Sequence, residues 1–177
     1  MKRNISLLFI FIYFIFISYN NKIYAEEIII KNKDNNFYNF HNILSNTNNK
    51  ELILKFVDEY YDFKELSIKK IQFEISNNVS FIGSTNRTIF DFSDSESTFT
   101  ISYINENQNT LIFENIIFQN FKIYNSNDQL FNVKTYNFGN FIWNNCTFNN
   151  NDKLFYFDNY NHSSEGEVVI QFNSCNF

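Results

Sequence analysis

Few residues in this chain are of types that do chemistry. Beyond Arg3 the one arginine is Arg87, and it stands just before Asp91, Asp94 and Glu96. The run "DFSDSE" (91–96) could offer exposed oxygens to Ca²⁺. It lacks the glycine turn and ligand spacing of an EF-hand, and no Gly-Gly-x-Gly-x-Asp run occurs, so a solvated acidic loop is the preferred reading. Sugar hydrolysis needs two carboxylates roughly 5 to 9.5 Å apart, and the chain has no Asp-Asp, His-Gly or Arg-x-Lys phrase. Its two histidines have no evident nucleophile beside them: His41 falls on an apolar face and His162 in "NYNHSSEGE". No His/Cys group has zinc spacing. No catalytic, cofactor or metal residue is therefore assigned.

Other residues could carry modification. Beyond residue 25, sequons lie at Asn78, Asn86, Asn145 and Asn161. Their number is what chance gives in a chain so rich in Asn, Ser and Thr, so position decides. Glycans need exposed loops. Asn86 and Asn161 lie in polar stretches and are the best acceptors. Tyr60, Tyr61, Tyr103, Tyr124, Tyr136 and Tyr160 could form an outward aromatic stripe for sugar rings, although interior packing explains most of the aromatics.

The elements that must position these residues are written as a repeat. Leu111-x-Phe113-x-Asn115-Ile116-x-Phe118 matches Phe141-x-Trp143-x-Asn145-Cys146-x-Phe148, and both match Ile170-x-Phe172-x-Ser174-Cys175-x-Phe177. A second phrase, "NDQLFNV" (127–133) and "NDKLFYF" (151–157), falls between them. Two phrases alternating at a common period of about 24–30 residues are the signature of a solenoid. Each phrase alternates large apolar with polar residues, which is a strand with one buried face. Asn shifts the phase by one and tolerates a left-handed backbone. The phrase thus reads as strand, tight bend, strand. Stacked coils of this kind make a parallel β-helix with like residues about 4.8 Å apart. Asn115 and Asn145 then form an asparagine ladder that Ser174 continues. A glycan on Asn145 would contradict that register. A β-sandwich with chance self-similarity is the alternative. Cys146 and Cys175 share one repeat position, so their Cα atoms are expected about 5 Å apart, inside the disulfide window. Either a disulfide or a stacked pair of free thiols fits.

The order of elements supports this architecture. In "KDNNFYNFHNIL" (33–44), Phe37, Phe40, His41 and Leu44 share a helical face, and Asp34 or Asn36 can cap its start. "ELILKFVDEYYD" (51–62) follows, then Val79-Ser-Phe81-Ile82-Gly83 and Thr88-Ile-Phe-Asp91. This order resembles the opening of pectin-lyase-like right-handed β-helix proteins, with a capping helix, a strand leading to Tyr, V-x-I-x-G and T-x-I-D. "CTFNNN" (146–151) is similar to the Cys-x-Phe-x-x-Asn repeats of polymorphic outer-membrane-type β-helix proteins. The resemblance covers most of residues 27–177. It implies a fold more firmly than an activity, because the family holds polysaccharide lyases, glycosidases and non-catalytic members. Lyase members pair Ca²⁺-binding acids with an arginine base, which would make Arg87 and Asp91 the residues to watch.

The ends and the charge bound the setting. Lys2 and Arg3 precede an apolar run from Ile5 to Ser18 and a small exit residue, Ala25. That describes a secretory signal over 1–25; the run is shorter than the roughly 18 residues of a spanning helix. An uncleaved signal anchor is the alternative. A net charge of −5 gives no basic footprint for nucleic acid. The final phrase stops at Phe177 with no polar cap after it, so the open coil is expected either to self-associate or to mark a shortened relative of a longer family.

The expectation is an all-β, right-handed parallel β-helix of about four coils over 26–177, with a capping helix at 33–45 and coils from 51 onward. Its expected role is that of a secreted, non-catalytic glycoprotein that contacts surfaces, adheres, or binds carbohydrate or a cell-surface protein. A polysaccharide lyase or hydrolase, or a truncated family member without independent function, is the alternative. No cofactor, nucleic acid or stable membrane span enters this reading.

Overall fold

The computed structural model describes residues 25–45, 51–66, 68–103, 108–123, 128–136, 138–159 and 167–177. Residues 1–24 of the expected signal segment, and with them Tyr124, Tyr160, Asn161 and His162, lie outside the described residues.

Strand-sized runs of alternating residues become β1 (Glu26–Ile30), β2 (Leu52–Phe56), β3 (Tyr60–Asp62), β4 (Lys70–Ile75), β5 (Val79–Ile82), β6 (Thr88–Asp91) and β7 (Thr98–Tyr103). They continue as β8 (Thr110–Glu114), β9 (Ile116–Gln119), β10 (Phe131–Thr135), β11 (Gly139–Asn144), β12 (Thr147–Asn149), β13 (Phe155–Asn159) and β14 (Val168–Asn173). From β2 onward every third strand pairs with its counterpart, β1 pairs with β2, and all the pairings are parallel. Sheet A runs β1-β2-β5-β8-β11-β14, sheet B β3-β6-β9-β12 and sheet C β4-β7-β10-β13. One coil is therefore A, then B, then C. Four such turns make a three-sided parallel β-solenoid.

The register is the one that the repeat dictates. Phe81, Phe113, Trp143 and Phe172 stand on one another in sheet A. Their ring centroids step by 4.7, 6.0 and 4.8 Å with planes within 26° of parallel. Phe99, Phe131 and Phe155 make a second column in sheet C, at 5.2 and 5.4 Å. Phe118 and Phe148 of sheet B, with Phe177 beyond β14, make a third, at 5.4 and 5.0 Å. The columns meet edge-on inside, as where Phe131 lies 5.2 Å from Phe118 and 5.3 Å from Phe113. Edge-on contact brings the positive rim of one ring to the negative face of another, a gain beyond area burial.

The helix α1 (Asn35–Ser45) closes the first coil. Asp34 caps it: its Oδ1 accepts from the Phe37 amide at 2.7 Å. Phe37, Phe40 and Leu44 form its buried stripe, with Phe37 5.2 Å from the Tyr61 ring and Phe40 6.4 Å from Phe56. His41 on the same helix is half-buried. At the other end Phe177 is 72% exposed, and Ile170 and Phe172 are also exposed. No helix among the described residues is long and apolar enough to cross a membrane.

Two of the candidate stripe tyrosines are core residues, as interior packing of the aromatics implies. Tyr61 faces inward and its hydroxyl donates to the Ile30 carbonyl at 2.6 Å. The Tyr103 ring packs against Phe141 at 4.7 Å, and its hydroxyl donates to the Asn140 carbonyl at 3.0 Å. Alternation put both on the buried phase of their strands, and a carbonyl within reach satisfied each hydroxyl.

Trp143 is fully buried, and its indole N–H has no hydrogen-bond partner among the described residues. Its column neighbours are phenylalanines, so Trp143→Phe removes the unpaired donor while keeping the stack. The expected cost in urea denaturation is below about 1.5 kcal/mol, against about 3–5 kcal/mol for Trp143→Ala. Equal losses for the two variants would contradict a stacked aromatic column.

Candidate functional site

Arg87, Asp91 and the asparagine ladder lie at the corners of sheet B, whereas Asp94 and Glu96 lie in a separate cleft and His41 on α1. The corner between sheets A and B is made by one residue in each later coil. Asn115, Asn145 and Ser174 take φ of 58°, 52° and 54°, the left-handed region. That single step moves Phe113, which points inward, and Ile116, also inward, onto two successive faces. The Asn145 amide Nδ2 donates to Asn115 Oδ1 at 2.7 Å.

Arg87 belongs to the same rung, since Thr88 pairs with Ile116 and places Arg87 beside Asn115. Its φ is 71°. Its guanidinium reaches along the axis, donating to Thr147 Oγ1 at 2.8 Å and to Asn145 Oδ1. The arginine thus reaches past Asn115 to the upper member of the ladder and supplies a donor to its free oxygen. Coil two needs five residues, Gly83 to Arg87, where the later coils use one asparagine, because Gly83 also stands level with Asn115. A Cβ on Gly83 would lie 2.3 Å from the Asn115 carbonyl oxygen, so the close approach demands glycine.

The far corner of sheet B repeats the device. Asn120 and Asn150 have φ of 63° and 52°, and Asn150 Nδ2 donates to Asn120 Oδ1 at 2.8 Å. This second ladder was not identified from the sequence, although Asn recurs five positions after Asn115 and after Asn145. Asp91 lies at its foot. Its Oδ1 accepts from the Ser93 amide at 2.9 Å, the Ser93 hydroxyl at 2.7 Å and Asn120 Nδ2 at 3.1 Å. Its Oδ2 accepts from Gln119 Nε2 at 2.9 Å and the Tyr60 hydroxyl at 3.1 Å. Burial pushes this carboxyl upward, but the Ser93, Gln119 and Asn120 donors outweigh it and hold it at about 2. A carboxylate that charged and that fully bonded is a poor proton carrier near neutrality. The same arrangement raises Tyr60 to about 12, through burial first and then its bond to Asp91.

The remaining acids are paired. Asp94 binds Lys64 at 3.3 Å, and Glu96 binds Lys69. They line a shallow cleft of about 230 Å³ with Ser95 and Ser97. No group of three or more metal-ligating side chains occurs among the described residues. A second cleft, about 310 Å³, lies between α1 and β1 and is lined by Asn35, Asn36, Asn39 and Asn42 over Ile28, Ile43 and Leu52.

Of the sequon residues, Asn86 is exposed on the Gly83–Arg87 loop. Asn78 is exposed, and its Oδ1 accepts from the Thr110 amide at 2.9 Å, so its Nδ2 is not part of that bond. Asn145 spends both ends of its amide in the ladder. Cys146 and Cys175 are thiols; Cys146 is buried and Cys175 half-buried. Tyr60 stands outward at 41% exposure, and Tyr136 is also exposed.

Asp91→Ala leaves its donors without their shared acceptor, and the expected loss is about 2–3 kcal/mol at pH 7. The sign with pH follows from the depressed carboxyl. Its stabilisation is complete above the ordinary carboxylate value of 3.8 and is lost as pH falls toward about 2. Denaturation midpoints of the wild type and Asp91→Ala should therefore differ at pH 5–7 and converge toward pH 2. A difference independent of pH would contradict the charged cage.

Comparison with known protein families, with curated proteins and with solved structures finds no match to this chain.

Proposed function

We propose that this chain is a non-catalytic β-helix that works by surface contact, and that its ligand is an extended carbohydrate laid along the outer face of sheet B. The observation that carries the proposal is the state of the candidate catalytic groups. Arg87 is bound into the asparagine ladder, Asp91 is saturated by five donors, and Asp94 and Glu96 are paired with lysines. Each is already engaged by neighbours in the fold, which argues against the lyase and hydrolase alternative.

The same face has what sugar recognition uses. Tyr60 presents a ring that its bond to Asp91 holds still. Gln119 and Asn149 follow Asp91 in register along the axis. Gln119 Nε2 is held by Asp91, which fixes the side chain and leaves its Oε1 as an acceptor, and Asn149 one strand spacing further on offers a donor and an acceptor. A fixed aromatic with convergent polar groups loses little entropy on binding.

The reading includes secretion, supported by the basic start, the short apolar run and Ala25. Expression in secreting eukaryotic cells should yield a chain that begins near Glu26. Mass spectrometry of its peptides should find glycan on Asn86 and Asn78 and none on Asn145. A glycan on Asn145 would be incompatible with the ladder.

Binding is tested on immobilised neutral and acidic polysaccharides. The folded chain should be retained, Tyr60→Ala should weaken retention about tenfold with little change in melting temperature, and no new reducing ends or unsaturated products should appear. Failure to bind any of them removes the carbohydrate reading; product release would revive the catalytic one.

A further inference from the structure

The two cysteines have a relation that surface binding does not use. Asn144 pairs with Asn173 and Thr147 with Asn176, so Cys146 and Cys175 face each other across adjacent coils. Backbone bonds bracket them: the Asn145 amide donates to the Asn173 carbonyl at 2.8 Å and the Asn176 amide to the Cys146 carbonyl at 3.0 Å. Their side chains point the same way. Cys146 Sγ donates to the Phe113 carbonyl at 3.4 Å and Cys175 Sγ to the Trp143 carbonyl at 3.3 Å, each one coil below. In-register parallel neighbours lie about 4.8 Å apart, within the Cα separation that a disulfide spans. The chain has two cysteines, so one intramolecular pairing exists.

We propose that Cys146 and Cys175 are a redox site, oxidised by a small disulfide such as glutathione disulfide to a bond that staples the last coil to the one before it. Cys175 is the half-exposed partner and reacts first. Its thiolate attacks one sulfur of glutathione disulfide, releases a glutathione thiolate and leaves a mixed disulfide. Cys146 then attacks Cys175 Sγ, and the second glutathione departs with the proton that Cys146 gives up. Two protein thiols are oxidised and one glutathione disulfide is reduced to two thiols. Burial pushes the Cys146 thiol up to about 12, so the second step is slow while the last coil is closed and speeds up when it opens. The bond secures β14, the strand whose Ile170 and Phe172 are exposed.

The test equilibrates the purified chain in oxidised and reduced glutathione, quenches with acid, and alkylates with N-ethylmaleimide in denaturant. The expected product is a monomer two hydrogens lighter with no label. Its melting temperature should exceed that of the reduced chain by about 10 °C. Cys175→Ser, a small change at a half-buried position, should fold and show no such difference between the two buffers. Two labelled thiols, a persistent glutathione adduct, a disulfide-linked dimer, or equal melting temperatures for oxidised and reduced chains would each overturn the proposal.

Discussion

A coil that stacks on its neighbours in register must turn its corner at the same place in every turn. Turning inward without exposing the core requires two successive apolar residues to face inside across the bend. A residue in the left-handed region accomplishes this, at a steric cost that asparagine bears better than most. Asn115, Asn145 and Ser174 meet the requirement at one corner of sheet B, and Asn120 and Asn150 at the other. Once the corners coincide, their side chains lie one strand spacing apart, and an amide that both donates and accepts can bond to its copy above and below. The corner requirement and the ladder are thus one device. The aromatic columns follow from it, because identical corners place Phe on Phe.

Charge is used to terminate these ladders. An asparagine ladder leaves an acceptor or a donor unused at its ends. Arg87 ends one ladder by donating to Asn145, and Asp91 ends the other by accepting from Asn120. The two residues that looked most like a catalytic pair carry opposite charges because the two ladder ends need opposite partners. Buried charge is costly unless saturated, and the five donors on Asp91 meet that condition. The exposed lysine–carboxylate pairs around Asp94 and Glu96 are worth little individually; their consequence is that these acids are engaged.

The sequence made the architecture legible because period and phase are local properties. The spacing of Phe118, Phe148 and Phe177 set the coil length, and the break at Asn115 and Asn145 located the corner. Arg87 was hidden for a specific reason: the four extra residues after Gly83 displace it from the phrase, so its membership of the rung appears only when strand pairing is known. The Lys64–Asp94 and Lys69–Glu96 pairs are 30 and 27 residues apart. The coil period could have suggested both, but the first coils lack the phrase that sets their register. Tyr61 and Tyr103 could be read only as candidates for either face, because a tyrosine is amphipathic and a carbonyl within reach, at Ile30 and Asn140, decides whether its hydroxyl can be buried.

The most direct test of the ladder account is a double-mutant cycle on Asn115 and Asn145, read by urea denaturation of Asn115→Ala, Asn145→Ala and the double variant. The account predicts a coupling of about 0.5–1.5 kcal/mol between two residues 30 positions apart in sequence. It also predicts that Asn115→Gly costs less than Asn115→Ala, because glycine keeps the left-handed corner. Additive losses, with alanine tolerated as well as glycine, would mean that the asparagines neither bond to one another nor hold the bend.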